Sequence, residues 1–287
     1  MSSRARLVLG HIPYLNCVPF FHYLKQEGFQ GELVSGVPSE LNLMLQRGEL
    51  SASPSSSFEY ARNWQDYVLL PGHSISSSGK VHSVLLFSPV PLSELEGQQI
   101  AITGESATSI NLLRIILREF NGLLHVADAV PECSVEQEVA EGRPALLIGD
   151  RALRLANAVP KGMRSYDLGE LWYQYTGLPF VFALWMIRRE ALAGFSQELT
   201  QLTSQLQRSR QRVMQDSANV AATVQPASGL TVPQVVDYWH RIDYRLEATH
   251  LKGLQLFFKL CVKNTLLKEV PPLDFFSNNP AVGAISG

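Results

Sequence analysis

The sequence predicts an α/β fold of two lobes, and three strand–turn–helix junctions carry that expectation. Residues 100–103 run through Gly104 into a helix, residues 50–54 open into Ser55, Ser56 and Ser57, and residues 7–12 end at the segment 13–19. Short apolar strands alternating with helical, 3.6-period runs read as αβ units on a largely parallel sheet. The 287 residues suit one large or two modest domains with real cores.

In chain order, residues 7–12 form a buried strand that Pro13 stops. Tyr14 and Asn16 follow at the strand's C-terminal edge, where open α/β sheets bind ligands. Asn16 carries two donors and an acceptor in one amide; its other use there is an Asx turn or a cap. An apolar-aromatic helix then runs through Phe20, Phe21, Tyr23 and Leu24 to Gly28. Residues 32–36 form a second strand. The next helix starts at 37–41, with Leu41, Met44 and Leu45 on one face and Gly48 as its stop. After the strand at 50–54, Ser55 and Ser56 form either a second wall of a site or a solvated loop.

Residues 67–70 and 81–88 are two further strands joined by a turn at 76–79. Ser83 is a lone hydroxyl on the face shared by Val81 and Leu85, so it either bonds to backbone or touches a ligand. His82 faces the other way as a packing or surface residue. Pro89 and Pro91 mark the first crossing between lobes.

The helix after Gly104 organises the rest. Ile110, Leu113, Ile116, Leu117 and Phe120 recur at helical spacing, which makes Ser106, Ala107, Thr108 and Ser109 its first turn. The amides of a first turn lack internal partners and sit at the positive end of the dipole, a place for a carboxylate or phosphate. The alternative is that a hydroxyl there caps its own helix. A strand at 125–130, a helix at 134–142 and a strand at 145–150 follow, leaving Gly149 and Asp150 at another C-terminal edge. Asp150 serves as acid, base or supporting partner, or caps the helix at 151–157. An aromatic helix at 166–177 ends at Gly177, and the apolar strand at 179–187 is the return crossing. The expected division is therefore residues 1–89 as the first part of lobe 1, 90–183 as lobe 2, and 184–287 as the return with helices at 198–215, 233–242 and 250–262. Arg208, Arg210 and Arg212 read as a solvated face, and the tail from Pro271 as loosely ordered.

Twenty-four basic against 26 acidic residues give a net charge of −2, which argues against nucleic-acid and membrane-surface partners. An anionic ligand must then be held by local dipoles and hydroxyls. Cys17, Cys133 and Cys261 are widely spaced, which fits a reducing compartment and neither a disulfide framework nor a zinc site. With no signal-like apolar run and no span long enough for a bilayer, the expectation is a cytoplasmic protein. Without a GxGxxG, P-loop, HExxH or GxSxG pattern, no cofactor and no metal are expected.

Six stretches carry a resemblance. They are Ile12-Pro13-Tyr14-Leu15-Asn16-Cys17-Val18-Pro19-Phe20, Gly36-Val37-Pro38-Ser39-Glu40-Leu41-Asn42, Ser55-Ser56-Ser57-Phe58-Glu59-Tyr60-Ala61, Ile75-Ser76-Ser77, Gly79-Lys80-Val81-His82-Ser83-Val84-Leu85-Leu86-Phe87-Ser88 and Ile102-Thr103-Gly104-Glu105-Ser106-Ala107-Thr108-Ser109. In this order they resemble the MqnA family of menaquinone biosynthesis, the chorismate dehydratases of the futalosine pathway. The resemblance implies a type II periplasmic-binding-protein-like fold with the ligand in the cleft between its lobes. It implies conversion of the dianion chorismate to 3-[(1-carboxyvinyl)oxy]benzoate and water, driven by aromatisation and needing no cofactor. Residues matching Asn16 and Ser83 are the ones tied to activity in that family, so Ser83 is expected to contact the ligand. Substrate binding is expected at Tyr14, Ser55, Ser56, Ser106, Ala107, Thr108, Ser109, Gly149 and Asp150. The substrate's own enolpyruvyl carboxylate is the expected proton acceptor, with Asp150 as the protein alternative. The rival readings are a cytoplasmic small-carboxylate sensor of the same fold and a later enzyme of the same pathway.

Overall fold

A computed structural model describes residues 6–277. Two five-stranded sheets organise the chain. The first is built from β1 (Val8–His11), β2 (Glu32–Ser35), β3 (Ala52–Ser56) and β4 (Tyr67–Ser77) before the chain leaves it. Between them lie α1 (Val18–Phe21), α2 (Pro38–Gln46) and α3 (Ser57–Arg62). The second sheet holds β5 (Val84–Ser88), β6 (Gln99–Ile102), β7 (Ala127–Ala129), β8 (Ala145–Ile148) and β9 (Arg164–Asp167). Its helices are α4 (Ala107–Ile115), which widens into a π-helical turn over Ile116–Phe120, then α5 (Val135–Ala140), α6 (Gly149–Ala156) and α7 (Leu168–Thr176). The chain then returns to the first sheet as β10 (Phe180–Arg188) and closes with α8 (Ala191–Gln215), α9 (Ser217–Ser228), α10 (Val232–Arg241) and α11 (Ala248–Lys263).

The strand orders are β2-β1-β3-β10-β4 and β7-β6-β8-β5-β9. In each sheet the αβ strands run parallel (β1 with β2 and β3; β6 with β7 and β8), and the strand that crosses between sheets is inserted antiparallel. The inserted strands are covered on both faces, which is why Val84–Ser88 and most of Phe180–Arg188 read as unbroken apolar runs. In the second sheet Leu85, Phe87 and Leu147 pack on one side with Val135 and Val139, while Leu86, Leu146 and Ile148 join the main core on the other. Trp172 of α7 packs edge-on against Phe180 of β10 and Phe257 of α11, which ties the second sheet's helices to the first sheet.

Sheet membership moves both crossings. Residues 67–70 and 81–88 are not a hairpin: β4 belongs to the first sheet and β5 to the second, so the chain crosses at 78–83, ahead of Pro89 and Pro91. The return lies at 177–179, since β10 is continuous through residue 183. The strand expected at 67–70 is longer: Pro71 and Gly72 lie in a bulge opposite Trp185, and β4 resumes beyond it to Ser77.

Other local expectations also shift. The helix expected to run to Gly28 stops after Phe21, because the Ser209 hydroxyl sits in its ladder. It accepts from Tyr23 N at 3.2 Å and donates to Pro19 O at 3.2 Å, replacing the bond those two groups would share. Tyr166 lies in β9, and Asp167 caps α7. The sequence pattern did not announce α9, whose residues are mostly small and whose buried positions are few. Residues 271–277 are docked: Leu69 N donates to Asp274 O and Phe276 N to Leu69 O, at 2.8 Å each. The rest of the expected loose tail lies outside the described residues.

Candidate functional site

The C-terminal edges of β1 and β3 face those of β6 and β8 across a cleft, the position at which open α/β sheets take ligands. Tyr14, Asn16 and Cys17 come from the turn after β1, Ser55 and Ser56 from the end of β3, and Phe182 and Ala183 from β10. Ser106 and Ser109 come from the start of α4, Ile148 and Gly149 from the β8–α6 junction, and Val81 and Ser83 from the crossing. Among the described residues no Lys, Arg or His lines this cleft. It offers about 80 Å³ to solvent, well below the roughly 300–1,000 Å³ of ordinary ligand pockets, so the lobes are closed on each other.

Two polar atoms in the wall are orphaned. Asn16 Oδ1 and Ser55 Oγ are buried with no hydrogen-bond partner among the described residues. Buried polar groups are nearly always paired, and an unmet one costs roughly 1–3 kcal/mol. Ser83 is buried beside them, and its carbonyl accepts from Gly149 N at 2.8 Å. Thus Ser83 does bond to backbone through its carbonyl, while its side chain faces the cleft.

The start of α4 divides between capping and presentation. Ser106 Oγ accepts from Ser109 N at 3.2 Å, so the cap reading holds for that hydroxyl, and the two serine side chains pair at 3.1 Å. The amides of Ala107 and Thr108 have no hydrogen bond among the described residues and sit at the dipole's positive end. The Thr108 side chain lies elsewhere. Fully buried, it accepts from Phe58 N at 2.9 Å and meets Ser57 Oγ at 3.3 Å. Ser57 spends its proton on Val181 O at 2.8 Å, so Thr108 donates to it. Thr108 thereby joins α4 to α3 across the lobes rather than lining the cleft. Ser56 caps α3 by accepting from Glu59 N at 3.3 Å while remaining in the cleft wall.

Asp150 does not cap its helix; Ile148 holds the N-cap position without a side-chain bond. Instead Asp150 Oδ1 accepts from Leu15 N at 3.1 Å, from behind the turn that carries Asn16. Burial pushes its carboxyl above the ordinary range, against the pull of the Leu15 amide and Arg154. Gly149 has φ of +62°, and a Cβ there would press on the Tyr14 ring at 3.3 Å, so this corner admits only glycine without strain.

Several participants escaped the sequence reading. Tyr14 Oη donates to Glu105 Oε2 at 3.0 Å, Arg151 Nη1 donates to Glu105 Oε1 at 3.3 Å, and Arg151 forks onto Glu136 at 2.6 and 2.5 Å. Burial and the Glu105 carboxylate push the Tyr14 phenol above its usual range. A carboxylate beside a candidate anion site reads from sequence as unhelpful; its role becomes plain only when Tyr14 is seen across the cleft. Asp167 is another. It takes Val81 N at 3.0 Å and His82 N at 2.7 Å through Oδ2, and Gly169 N at 2.9 Å and Glu170 N at 3.1 Å through Oδ1. It therefore anchors the left-handed turn at His82 (φ +61°) that delivers Ser83. Among the described residues no group of three or more His, Cys, Asp or Glu side chains is placed to hold a metal ion, and no helix is long and apolar enough to cross a membrane.

A family model described as menaquinone biosynthesis matches residues 7–263. The chorismate dehydratase of Thermus thermophilus is 38% identical over 201 residues, covering 64% of this chain and 70% of that protein. The chorismate dehydratase of Campylobacter jejuni is 31% identical over 183 residues, covering 62% of this chain and 66% of that one. Among solved structures, the periplasmic aliphatic sulphonate binding protein SsuA of Escherichia coli matches with a TM-score of 0.69 over 98% of this chain and 96% of its own, at 13% identity. That likeness is one of fold: this is a periplasmic-binding-protein-like architecture.

Proposed function

The chain belongs to the menaquinone biosynthesis family, and on that premise we propose that it is a cytoplasmic chorismate dehydratase. The observation that carries the reading is the closed cleft in which Asn16 Oδ1 and Ser55 Oγ are buried without partners next to Ser83 and the free amides at the start of α4. These groups can each accept or donate a hydrogen bond to a polar ligand, and their kind suits a dianion at a wall without a cationic side chain among the described residues. One carboxylate sits on the Ala107 and Thr108 amides with Ser106 and Ser109 beside them. Ser55 and Ser56 take the other. Closure excludes water, so each fixed dipole counts for more than it would in solvent.

The reaction removes the C3 proton and the C4 hydroxyl of the ring. The electrons of the C3–H bond form the new ring double bond as the C4–O bond breaks, and the proton leaves with the hydroxide as water. In this reading the enolpyruvyl carboxylate of the substrate takes the proton first, while the Asn16 amide and the Ser83 hydroxyl orient that carboxylate and the leaving oxygen. Asp150 is the less suitable base, since Oδ1 is bound to Leu15 N and the residue stands outside the cleft wall. Entry of the substrate requires the lobes to part, which breaks the Tyr14–Glu105, Leu15–Asp150 and Phe58–Thr108 bonds.

Turnover of chorismate by Asn16→Ala and Asp150→Asn tests the assignment. Loss of turnover in the first with activity retained in the second supports a substrate-assisted elimination; the reverse pattern would make Asp150 the base. Tight binding of chorismate by the wild type without any conversion would instead indicate a sensor.

A further inference from the structure

We propose that Glu105 is a positioning residue that acts through Tyr14, an inference that rests on the dehydratase reading of the cleft. Tyr14 follows β1 of the first sheet and lines the cleft, while Glu105 follows β6 of the second. The Tyr14 hydroxyl donates to Glu105 Oε2 at 3.0 Å. Glu105 Oε1 accepts from Arg151 Nη1 at 3.3 Å, and Arg151 is itself held by the Glu136 carboxylate at 2.6 and 2.5 Å. A chain of partners in its own lobe thus fixes the carboxylate that meets the opposite lobe. The Tyr14 ring also lies against Gly149, close enough that an added Cβ would stand 3.3 Å from it.

A phenol has one proton, and Glu105 takes it. What Tyr14 then offers a ligand is its ring and its oxygen lone pairs, neither of which suits a carboxylate. The expectation that Tyr14 binds substrate narrows accordingly: it shapes the wall and leaves both carboxylates to the serines and the helix amides. Because donor and acceptor belong to different lobes, that wall is complete only when the lobes are closed. The backbone of the turn has separate fastenings, since Leu15 N donates to Asp150 Oδ1 at 3.1 Å and Leu15 O accepts from Trp239 Nε1 at 2.7 Å. Loss of Glu105 therefore frees the Tyr14 side chain without releasing Asn16. An interaction held alike by bound substrate and transition state appears in KM and not in kcat.

Glu105→Ala and Tyr14→Phe each remove one end of the bond, and the double variant removes both. KM for chorismate is expected to rise about tenfold in either single variant, the weight of one hydrogen bond to a charged group at a partly exposed site, with kcat within about twofold. The double variant should rise no further, because two residues that act through one bond are not additive. A merely structural role for Glu105 would instead lower kcat through loss of folded enzyme and leave KM alone, and that pattern would overturn the inference. So would an unaltered KM in Glu105→Ala, or a rise of roughly a hundredfold in the double variant, the product of two independent effects. A wild type that leaves chorismate untouched would overturn the underlying reading as well, and that outcome is distinct because it needs no variant.

Discussion

Asp167→Ala should destabilise the fold and disarm the site together. One carboxylate serves two structures: Oδ1 caps α7 through Gly169 N and Glu170 N, and Oδ2 holds the Val81 and His82 amides. Loss of an N-cap costs about 1 kcal/mol. Leaving the amide of the fully buried Val81 without an acceptor adds about 1–3 kcal/mol. The expected sum is about 2–4 kcal/mol, or roughly 3–7 °C in melting temperature for a chain of 287 residues at about 2.1 cal/mol/K of unfolding entropy per residue. Asp167→Asn divides the two roles. Its carbonyl oxygen still caps α7, while its amide nitrogen meets the Val81 and His82 amides donor to donor, so it should lose the crossing and keep the helix. Ser83 follows His82 directly, and both variants should therefore lose turnover at temperatures far below their melting points. Urea denaturation read by circular dichroism, alongside chorismate turnover, measures both effects. An Asp167→Ala protein within about 0.5 kcal/mol of wild type would refute the reasoning, since surface substitutions without a structural role fall in that range.

Thr108→Val keeps the shape of a buried side chain and removes the acceptor for Phe58 N. The expected cost is about 1–3 kcal/mol of stability by thermal unfolding, with the chorismate-induced shift in melting temperature preserved. His73 sets an acid limit on stability. Burial pushes its imidazole down to about 4, with Nε2 on Thr203 O at 3.0 Å. Between pH 6.5 and 4 the unfolded chain binds a proton there that the folded chain refuses, so this stability is present at neutral pH and is lost as the pH falls. The window amounts to about 3 kcal/mol. Comparing urea denaturation of wild type and His73→Gln at pH 7 and 4.5 should show a smaller acid loss in the variant; an identical loss would contradict the assignment.

Much of the fold was legible because its elements obey local rules. The small-residue turn at 104–109, the Pro38 helix start with Leu41 and Leu45 inward, and the buried stripe of Leu199, Leu202, Leu206 and Val213 all stand as read. What failed depends on partners distant in sequence. The Ser209 hydroxyl that breaks the first helix lies 186 residues from the amide it takes. Residues 81–83 alternate like a strand, but the Asp167 carboxylate turns them into the passage between sheets. The same limit applies to the site. Asn16, Ser55 and Ser106 were recognisable as polar residues at strand ends and Ser83 as a lone hydroxyl on an apolar strand face, and they meet in one cleft. Thr108 looked equivalent to Ser109 in a run of small residues, and only the packing of α3 against α4 separates them. Glu105 had no signal, since a carboxylate beside an anion site gains meaning only from the Tyr14 hydroxyl it faces.

The most direct test is to incubate the purified wild-type chain with chorismate, following the loss of the diene absorbance and identifying the product by mass spectrometry. The account predicts catalytic conversion to an aromatic product lighter by one water, without added metal or organic cofactor. Chorismate that binds or fails to bind but is recovered unchanged would contradict the dehydratase assignment and leave the two-sheet, periplasmic-binding-protein-like fold in place.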